Sequence, residues 1–143
     1  MHFRDIHTIA VVGDGGWGTT LAIHLARKNY QVKLWGAFPD YVREVQKKRI
    51  NLRFLPGIKI PQQVDMVDRL EVALSNTELL ILAVPSQYIL GILKKLKPFD
   101  LSDTIILSVV KGIDPVSLKR MSELMVGELG QVKLAVLSGP TIA

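Results

Sequence analysis

The stretch TIAVVGDGGWGTTLA, residues 8–22, decides the fold of this chain. Its first five residues are apolar or β-branched, which is typical of a short buried strand. Residues 13–18 follow with the form G-x-G-x-x-G, and apolar residues then recur at helical spacing between Leu21 and Ala26. A strand, a glycine turn and a helix in this order predict the opening of a βαβ unit that binds a dinucleotide.

The glycines at 13, 15 and 18 suit phosphate binding for separate physical reasons. Gly13 permits a tight turn out of the strand, and Gly15 lets a pyrophosphate approach the backbone because it has no Cβ. Gly18 lets the helix lie close against the strand. The phosphates would then lie at the helix N-terminus, where N–H groups and the positive end of the helix dipole favour negative charge. The alternative is a glycine-rich turn that serves packing alone.

Strand and helix patterns alternate along the rest of the chain. Further strands are predicted at residues 31–35, 64–66, 79–84, 104–109 and 133–137. Helices are predicted from the glycine turn to about residue 29, at 39–48, 70–74 and 87–96, and from Asp114, which would be the N-cap before Pro115. Residues 51–61 are expected to be a loop. This alternation predicts an α/β fold with a doubly wound, mostly parallel sheet that is covered on both faces.

Composition restricts the class of protein. The chain has 143 residues, 48% of them hydrophobic, which agrees with one globular domain over residues 1–143. It has no cysteine, which excludes a disulfide framework and thiolate chemistry. Met1 to Asp5 lacks a signal-peptide pattern and no apolar run is long enough to cross a bilayer, so we expect a cytoplasmic protein without a membrane partner.

The net charge of the chain is +5, and its densest basic cluster combines residues 47–49 with Arg53. The simplest explanation is a solvated helix end, since cations favour the last turn of a helix. A basic patch also suits anionic cofactors, substrates or nucleic acid. Basic and aromatic residues do not interleave as they do in proteins that bind single strands, so no nucleic-acid partner is expected.

Candidate site residues follow four of the predicted strands. They are the glycine turn, Pro85-Ser86, Lys111-Gly112 and residues 138–141. A doubly wound sheet binds its ligand at the carboxyl ends of its strands. We therefore expect these four segments to lie together, with the chain ending where a second domain would begin to close the cleft.

Five segments together resemble the NAD(P)-dependent glycerol-3-phosphate dehydrogenase family. They read GDGGWGTTLA at 13–22, NLRFLPG at 51–57 with IP at 60–61, AVPSQ at 83–87, KG at 111–112 and SGPTIA at 138–143. The resemblance implies that residues 1–143 are an NAD(P)-binding Rossmann-type domain, a fragment of a longer two-domain enzyme. The C-terminal helical domain of that family, which carries its catalytic lysine, is absent from this chain.

The resemblance also implies an activity and its partners. The whole enzyme would interconvert dihydroxyacetone phosphate and sn-glycerol 3-phosphate with NAD or NADP as cofactor, in glycerol-3-phosphate and glycerophospholipid metabolism. Its partners would be a small phosphorylated substrate and the missing helical domain, through which a homodimer could form. Two alternatives stay open, namely another dehydrogenase of a hydroxy acid with a Rossmann domain and a helical domain, and a nucleotide-sensing module without catalysis.

Roles for single residues follow from the same resemblance. Lys111, Gly139 and Thr141 would bind the substrate, and the chain would hold no catalytic residue. No metal site is expected, because His2, His7 and His24 lack metal-ligand spacing. The residues implied to contact the cofactor are Gly13, Asp14, Gly15, Gly16, Trp17, Gly18, Tyr88, Lys111 and Ala143.

Several of these side chains also have simpler explanations. Trp17 is equally well explained by packing against the sheet, Ser86 by capping the next helix, and Tyr88 by an ordinary half-buried position. Asp14 is better explained as a turn residue than as a catalytic acid, because a carboxylate that faces a pyrophosphate repels it. Lys111 closes an apolar strand, where a lysine without an anionic partner would be desolvated without compensation, which favours a binding role.

The choice between NAD and NADP stays open in the sequence. A domain that prefers NAD usually has Asp or Glu at the end of its second strand for the ribose hydroxyls. Here that end reads WGAFP at 35–39, the first acid is Asp40, and the first arginine is Arg43. Neither the acidic nor the basic signature is in place.

Overall fold

Eight strands and five helices run along residues 5–139, the part of the chain that the computed structural model describes. Most of them lie where the apolar pattern predicts. In chain order they are β1 (Thr8–Val12), α1 (Gly16–Ala26), β2 (Gln31–Trp35), α2 (Pro39–Lys48), β3 (Ile50–Asn51), β4 (Leu55–Lys59), β5 (Val64–Val67), α3 (Leu70–Leu74), β6 (Leu79–Leu82), α4 (Ser86–Leu96), β7 (Ile105–Ser108), α5 (Met121–Leu129) and β8 (Lys133–Val136).

Six of the strands form one parallel sheet in the order β5-β2-β1-β6-β7-β8. In the order in which these six strands follow one another in the chain, this is 3-2-1-4-5-6, the Rossmann arrangement. The predicted doubly wound parallel sheet is therefore confirmed. The strand order reverses between β1 and β6, and a ligand crevice is expected outside the carboxyl ends of these two strands.

Both faces of the sheet are covered, which explains why its central strands β1 and β6 are apolar at every position after Thr8. Ile9 and Val11 of β1 face the side that carries α1 and α2, whereas Ala10 and Val12 face the side that carries α3, α4 and α5. All four side chains are at most 2% exposed. Alternate residues of a strand point to opposite faces, so a strand buried on both sides has no polar positions.

Residues 51–61 differ from the predicted loop. Ile50–Asn51 and Leu55–Lys59 pair antiparallel as a separate two-stranded hairpin, with Ile50 opposite Lys59 and Asn51 opposite Leu55. Pro56 and Gly57 inside β4 conceal the strand in the sequence, since both are unusual in strand interiors. The hairpin packs against α1 and the glycine turn. These tertiary contacts stabilise a strand conformation that the intrinsic propensity of Pro56 and Gly57 disfavours.

The fifth helix also differs from its prediction, since it begins at Met121 and not at Asp114. The Asp114 carboxylate accepts hydrogen bonds from the Ser117 backbone N–H and hydroxyl, both at 2.7 Å, and so closes a local turn. Leu118 has a φ of 57°, which a helix cannot contain. Asp and Ser favour such local bonds over helix formation. The N-cap of the helix is instead Arg120, whose backbone N–H donates to Glu123 Oε2 at 2.8 Å.

Among residues 5–139, every helix is too short or too polar to traverse a bilayer. Within the same range, His, Asp and Glu side chains form no group of three that could hold a metal ion.

Candidate functional site

A cleft of about 990 Å³ lies at the carboxyl ends of β7 and β8, beside the start of α1. Three of the four segments expected to form the site contribute to it, through Trp17, Lys111-Gly112 and Ser138-Gly139. The fourth, Pro85-Ser86, touches it from the side, because a Cβ on Gly112 would lie 3.3 Å from Ser86 Oγ. Parallel strands place all their carboxyl ends at one edge, which is why segments distant in sequence meet here.

Close backbone contacts shape the glycine turn, residues 13–18. Gly13 has a φ of 120°, and a Cβ on it would lie 2.8 Å from the backbone carbonyl group of Ala83 at the end of β6. A Cβ on Gly18 would lie 1.8 Å from the Gly13 carbonyl oxygen. The first and third glycines of the motif are therefore required by the fold itself, as the sequence predicts.

Gly15 differs from these two, because nothing lies within 4 Å of the position that its Cβ would occupy. Its φ of −68° is accessible to any residue, so the fold does not require glycine here. The first backbone bond of α1 runs from Thr19 N–H to Gly15 O at 3.0 Å, and the N–H groups ahead of it point out of the helix end. Open space beside these donors, with no acidic residue in the first turn of the helix, fits a dinucleotide pyrophosphate.

The hairpin supports the glycine turn through Asn51, a functional candidate that the sequence did not single out. Asn51 is fully buried, and its Nδ2 donates to the Asp14 carbonyl oxygen at 2.7 Å and to Thr19 Oγ1 at 2.8 Å. Its Oδ1 accepts from the Tyr41 hydroxyl at 2.6 Å and from the Phe54 N–H at 3.2 Å. All its polar positions are used, so Asn51 ties α2, the hairpin and the glycine turn together.

Trp17 and Lys111 both line the cleft and are both exposed to solvent. Trp17 is 51% exposed, which favours a ligand contact over packing against the sheet. Lys111 is exposed and lies three residues beyond the end of β7 at Ser108. The expectation that Lys111 would be desolvated at a strand end is therefore wrong, and only its position in the cleft supports a binding role.

Ser86 and Tyr88 lie in the first turn of α4. Pro85 occupies the N-cap position without a side-chain cap bond, so Ser86 is not the cap of this helix. Tyr88 is 60% exposed and is not among the described residues that line the cleft. Two predicted contacts, Thr141 with the substrate and Ala143 with the cofactor, lie outside the described residues.

Asp14 occupies an unusual environment between two glycines of the turn. Burial raises the pKa of its carboxyl group above the ordinary value, while its own backbone N–H and the charge of Arg53 lower it by less. Its Oδ2 is buried and has no hydrogen-bond partner among residues 5–139. The prediction of a turn residue without acid catalysis stays a prediction, and the carboxylate lies against Gly36, the residue after β2.

Comparison with known proteins gives a consistent result. The chain is similar to glycerol-3-phosphate dehydrogenase (NAD(P)+) of Chlorobium phaeobacteroides (strain BS1), with 41% identity over 138 residues, and to that of Geobacillus kaustophilus (strain HTA426), with 37% identity over 140 residues. These matches cover 94% and 96% of this chain but 41% of each relative. The chain therefore spans less than half the length of the curated relatives that it matches.

The fold shows the same likeness. The crystal structure of glycerol-3-phosphate dehydrogenase from Coxiella burnetii superposes with a TM-score of 0.88 at 36% identity, over 96% of this chain and 42% of that chain. The sequence model of the NAD-dependent glycerol-3-phosphate dehydrogenase N-terminus matches residues 8–143. On this match, the chain belongs to the family of NAD-dependent glycerol-3-phosphate dehydrogenase N-terminal domains.

Proposed function

We propose that this chain is the cofactor-binding part of an enzyme that interconverts dihydroxyacetone phosphate and sn-glycerol 3-phosphate. The observation that carries the proposal is the glycine turn at the point where the strand order reverses. There Gly15 leaves open space beside the N-terminus of α1, next to the cleft that Trp17 and Lys111 line. This is the geometry in which open α/β sheets bind a dinucleotide.

The residues of the cleft suit the handling of an anionic substrate. NAD(P)H supplies a hydride to the carbonyl carbon of dihydroxyacetone phosphate when it is bound. Lys111 and Gly139 lie on the same cleft as Trp17, so a substrate there could contact the Lys111 ammonium group and the backbone at Gly139. A cation at this position stabilises phosphate and the charge that develops on the carbonyl oxygen. The proton for that oxygen is proposed to come from a lysine of a second domain beyond this chain.

The wider setting follows from the product of this reaction. Glycerol 3-phosphate is the backbone from which glycerophospholipids are built, so we assign the enzyme to glycerol-3-phosphate and glycerophospholipid metabolism in the cytoplasm. Its partners are a small phosphorylated substrate and the second domain, through which two copies could pair.

Cofactor binding is tested on the chain itself. Calorimetric titration with NADH and with NADPH should give binding of at least one cofactor. Gly15→Val should abolish it while the unfolding midpoint stays close to that of the original chain, because a side chain at Gly15 meets only the space reserved for phosphate. Gly127→Val is the matched control, since a Cβ on Gly127 in α5 also meets nothing within 4 Å. An unchanged Kd in Gly15→Val would show that the glycine turn is not the phosphate site.

Catalysis is tested by comparing this chain with a protein extended to the length of its relatives. The extended protein should oxidise NADH or NADPH when given dihydroxyacetone phosphate, and residues 1–143 alone should not, because a second domain is needed to hold the ketone in place. Lys111→Ala in the extended protein should lower kcat/KM by about a hundredfold. Turnover by residues 1–143 that Lys111→Ala removes would instead make Lys111 the proton donor.

A further inference from the structure

The carboxylate of Asp14 lies at the end of β2, although Asp14 belongs to the glycine turn. A Cβ on Gly36, the residue after β2, would lie 2.3 Å from Asp14 Oδ2 and 2.6 Å from Val42 Cγ2. The carboxylate therefore fills the space that a side chain at position 36 would need. It lies where a domain that prefers NAD has the Asp or Glu at the end of its second strand.

The charges around this position favour a hydroxyl over a phosphate. Arg43, the first arginine after β2, forms an ion pair with Asp40 and lies 3.8 Å from the Asp68 carboxylate, measured from Nη1 to Oδ2. With Asp14, three acids thus lie near the end of β2. Arg53 is a further cation near Asp14, and its guanidinium lies 4.3 Å from the ring centroid of Tyr41, on which it stacks.

The hydrogen bonding of Asp14 also points to a ligand. Its Oδ2 is buried without a partner among residues 5–139, although the residue as a whole is only half-buried. Oδ2 itself faces Gly36, and because Asp14 as a whole is half-buried, a ribose hydroxyl, which is a neutral donor, can approach the carboxylate from its exposed side. A phosphate ester in its place would bring a second anion next to a partly desolvated carboxylate, where like charges repel most strongly.

We propose that Asp14 binds the adenosine ribose hydroxyls of the dinucleotide and thereby makes this chain select NAD(H) over NADP(H). The inference rests on the proposed function, because it assumes that the adenosine end of the cofactor lies over β2. In this proposal Asp14, a residue of the glycine turn, distinguishes NAD from NADP in place of the acid that β2 lacks at its end. Gly36 takes part by leaving room for the carboxylate.

The test measures the Kd of NADH and of NADPH for the chain and two variants. The original chain should bind NADH at least about tenfold more tightly than NADPH, because like charges would meet only with NADPH. Asp14→Asn has the same shape without the charge. It should therefore raise the Kd for NADH, lower the Kd for NADPH and bring the ratio of the two values close to one. Asp103→Asn is the matched control: it removes one charge at the opposite edge of the sheet and should leave the ratio unchanged.

The possible results distinguish a failure of the proposed function from a failure of the role assigned to Asp14. Binding of neither cofactor would contradict the proposed function as well as this inference. Equal affinity for both cofactors in the original chain, or an unchanged ratio in Asp14→Asn, would contradict the role of Asp14 alone. A preference of the original chain for NADPH would also overturn it and would indicate Arg53 as a phosphate ligand. If Asp14→Asn fails to fold, the ratio in the original chain still tests the inference, because equal affinity or a preference for NADPH overturns it.

Discussion

Replacing Asn51 by alanine should destabilise the chain and weaken cofactor binding together. Asn51 is fully buried and makes four hydrogen bonds, to the Asp14 carbonyl oxygen, Thr19 Oγ1, the Tyr41 hydroxyl and the Phe54 N–H. The substitution leaves all four partners without this side chain. Buried groups that lose a partner typically cost about 1 kcal/mol each, and less where a hydroxyl can rotate to another acceptor.

The expected loss is therefore about 3 kcal/mol of unfolding free energy, or a fall of roughly 10 °C in Tm for a domain of this size. Urea denaturation followed by circular dichroism measures it, with an unchanged m-value as the sign that the unfolding transition itself is the same. Tyr41→Phe is the comparison variant, since it removes one hydroxyl from the same network. It should cost about 1 kcal/mol.

The link to the cofactor is tested with Asn51→Asp, which keeps the shape and the acceptor atom but loses the donor that holds the Asp14 carbonyl oxygen. We expect its Kd for NADH to rise several-fold at a temperature where the variant is still folded. A loss below about 1 kcal/mol in Asn51→Ala would refute the idea that this network holds the hairpin. An unchanged NADH affinity in Asn51→Asp would refute its role in positioning the glycine turn.

Two further predictions concern stability alone. Gly18→Ala should lower the unfolding free energy by about 3 kcal/mol, because its Cβ would lie 1.8 Å from the Gly13 carbonyl oxygen, whereas Gly15→Ala should leave it nearly unchanged. Equal urea midpoints for these two variants would contradict the packing described. The Glu78 carboxylate accepts from the backbone N–H groups of His7 and Thr8 and from the Thr8 hydroxyl, and these bonds lower its pKa to about 2. Its contribution to stability is present above pH 4.5 and is lost as the pH falls toward 2, so Glu78→Gln should lose less unfolding free energy than the original chain between these values.

The sequence predicts the parallel sheet well because its signals are local and strong. Residues 79–82 and 105–107 are continuous apolar runs, and short runs of this kind are typical of strands that are buried on both faces of a parallel sheet. The hairpin at 50–59 and the turn at Asp114 were missed for the opposite reason. In the hairpin, Pro56 and Gly57 have a low intrinsic propensity for strands. At Asp114, the side chain offers the backbone N–H of Ser117 a hydrogen bond that competes with helix formation.

The sequence predicts the glycine turn, because a strand, a turn and a helix in direct succession determine their own geometry. It also predicts that Gly13 and Gly18 are needed for close packing and that Gly15 leaves space for a ligand. What only the tertiary structure decided is which side chains meet around that turn. The contact of Asp14 with Gly36 joins positions that are apart in sequence, and Asn51 reaches the turn from a hairpin that the sequence hid. Such contacts depend on how helices and strands pack side by side, and a pattern of apolar residues specifies which face is buried but not which polar atom lies opposite.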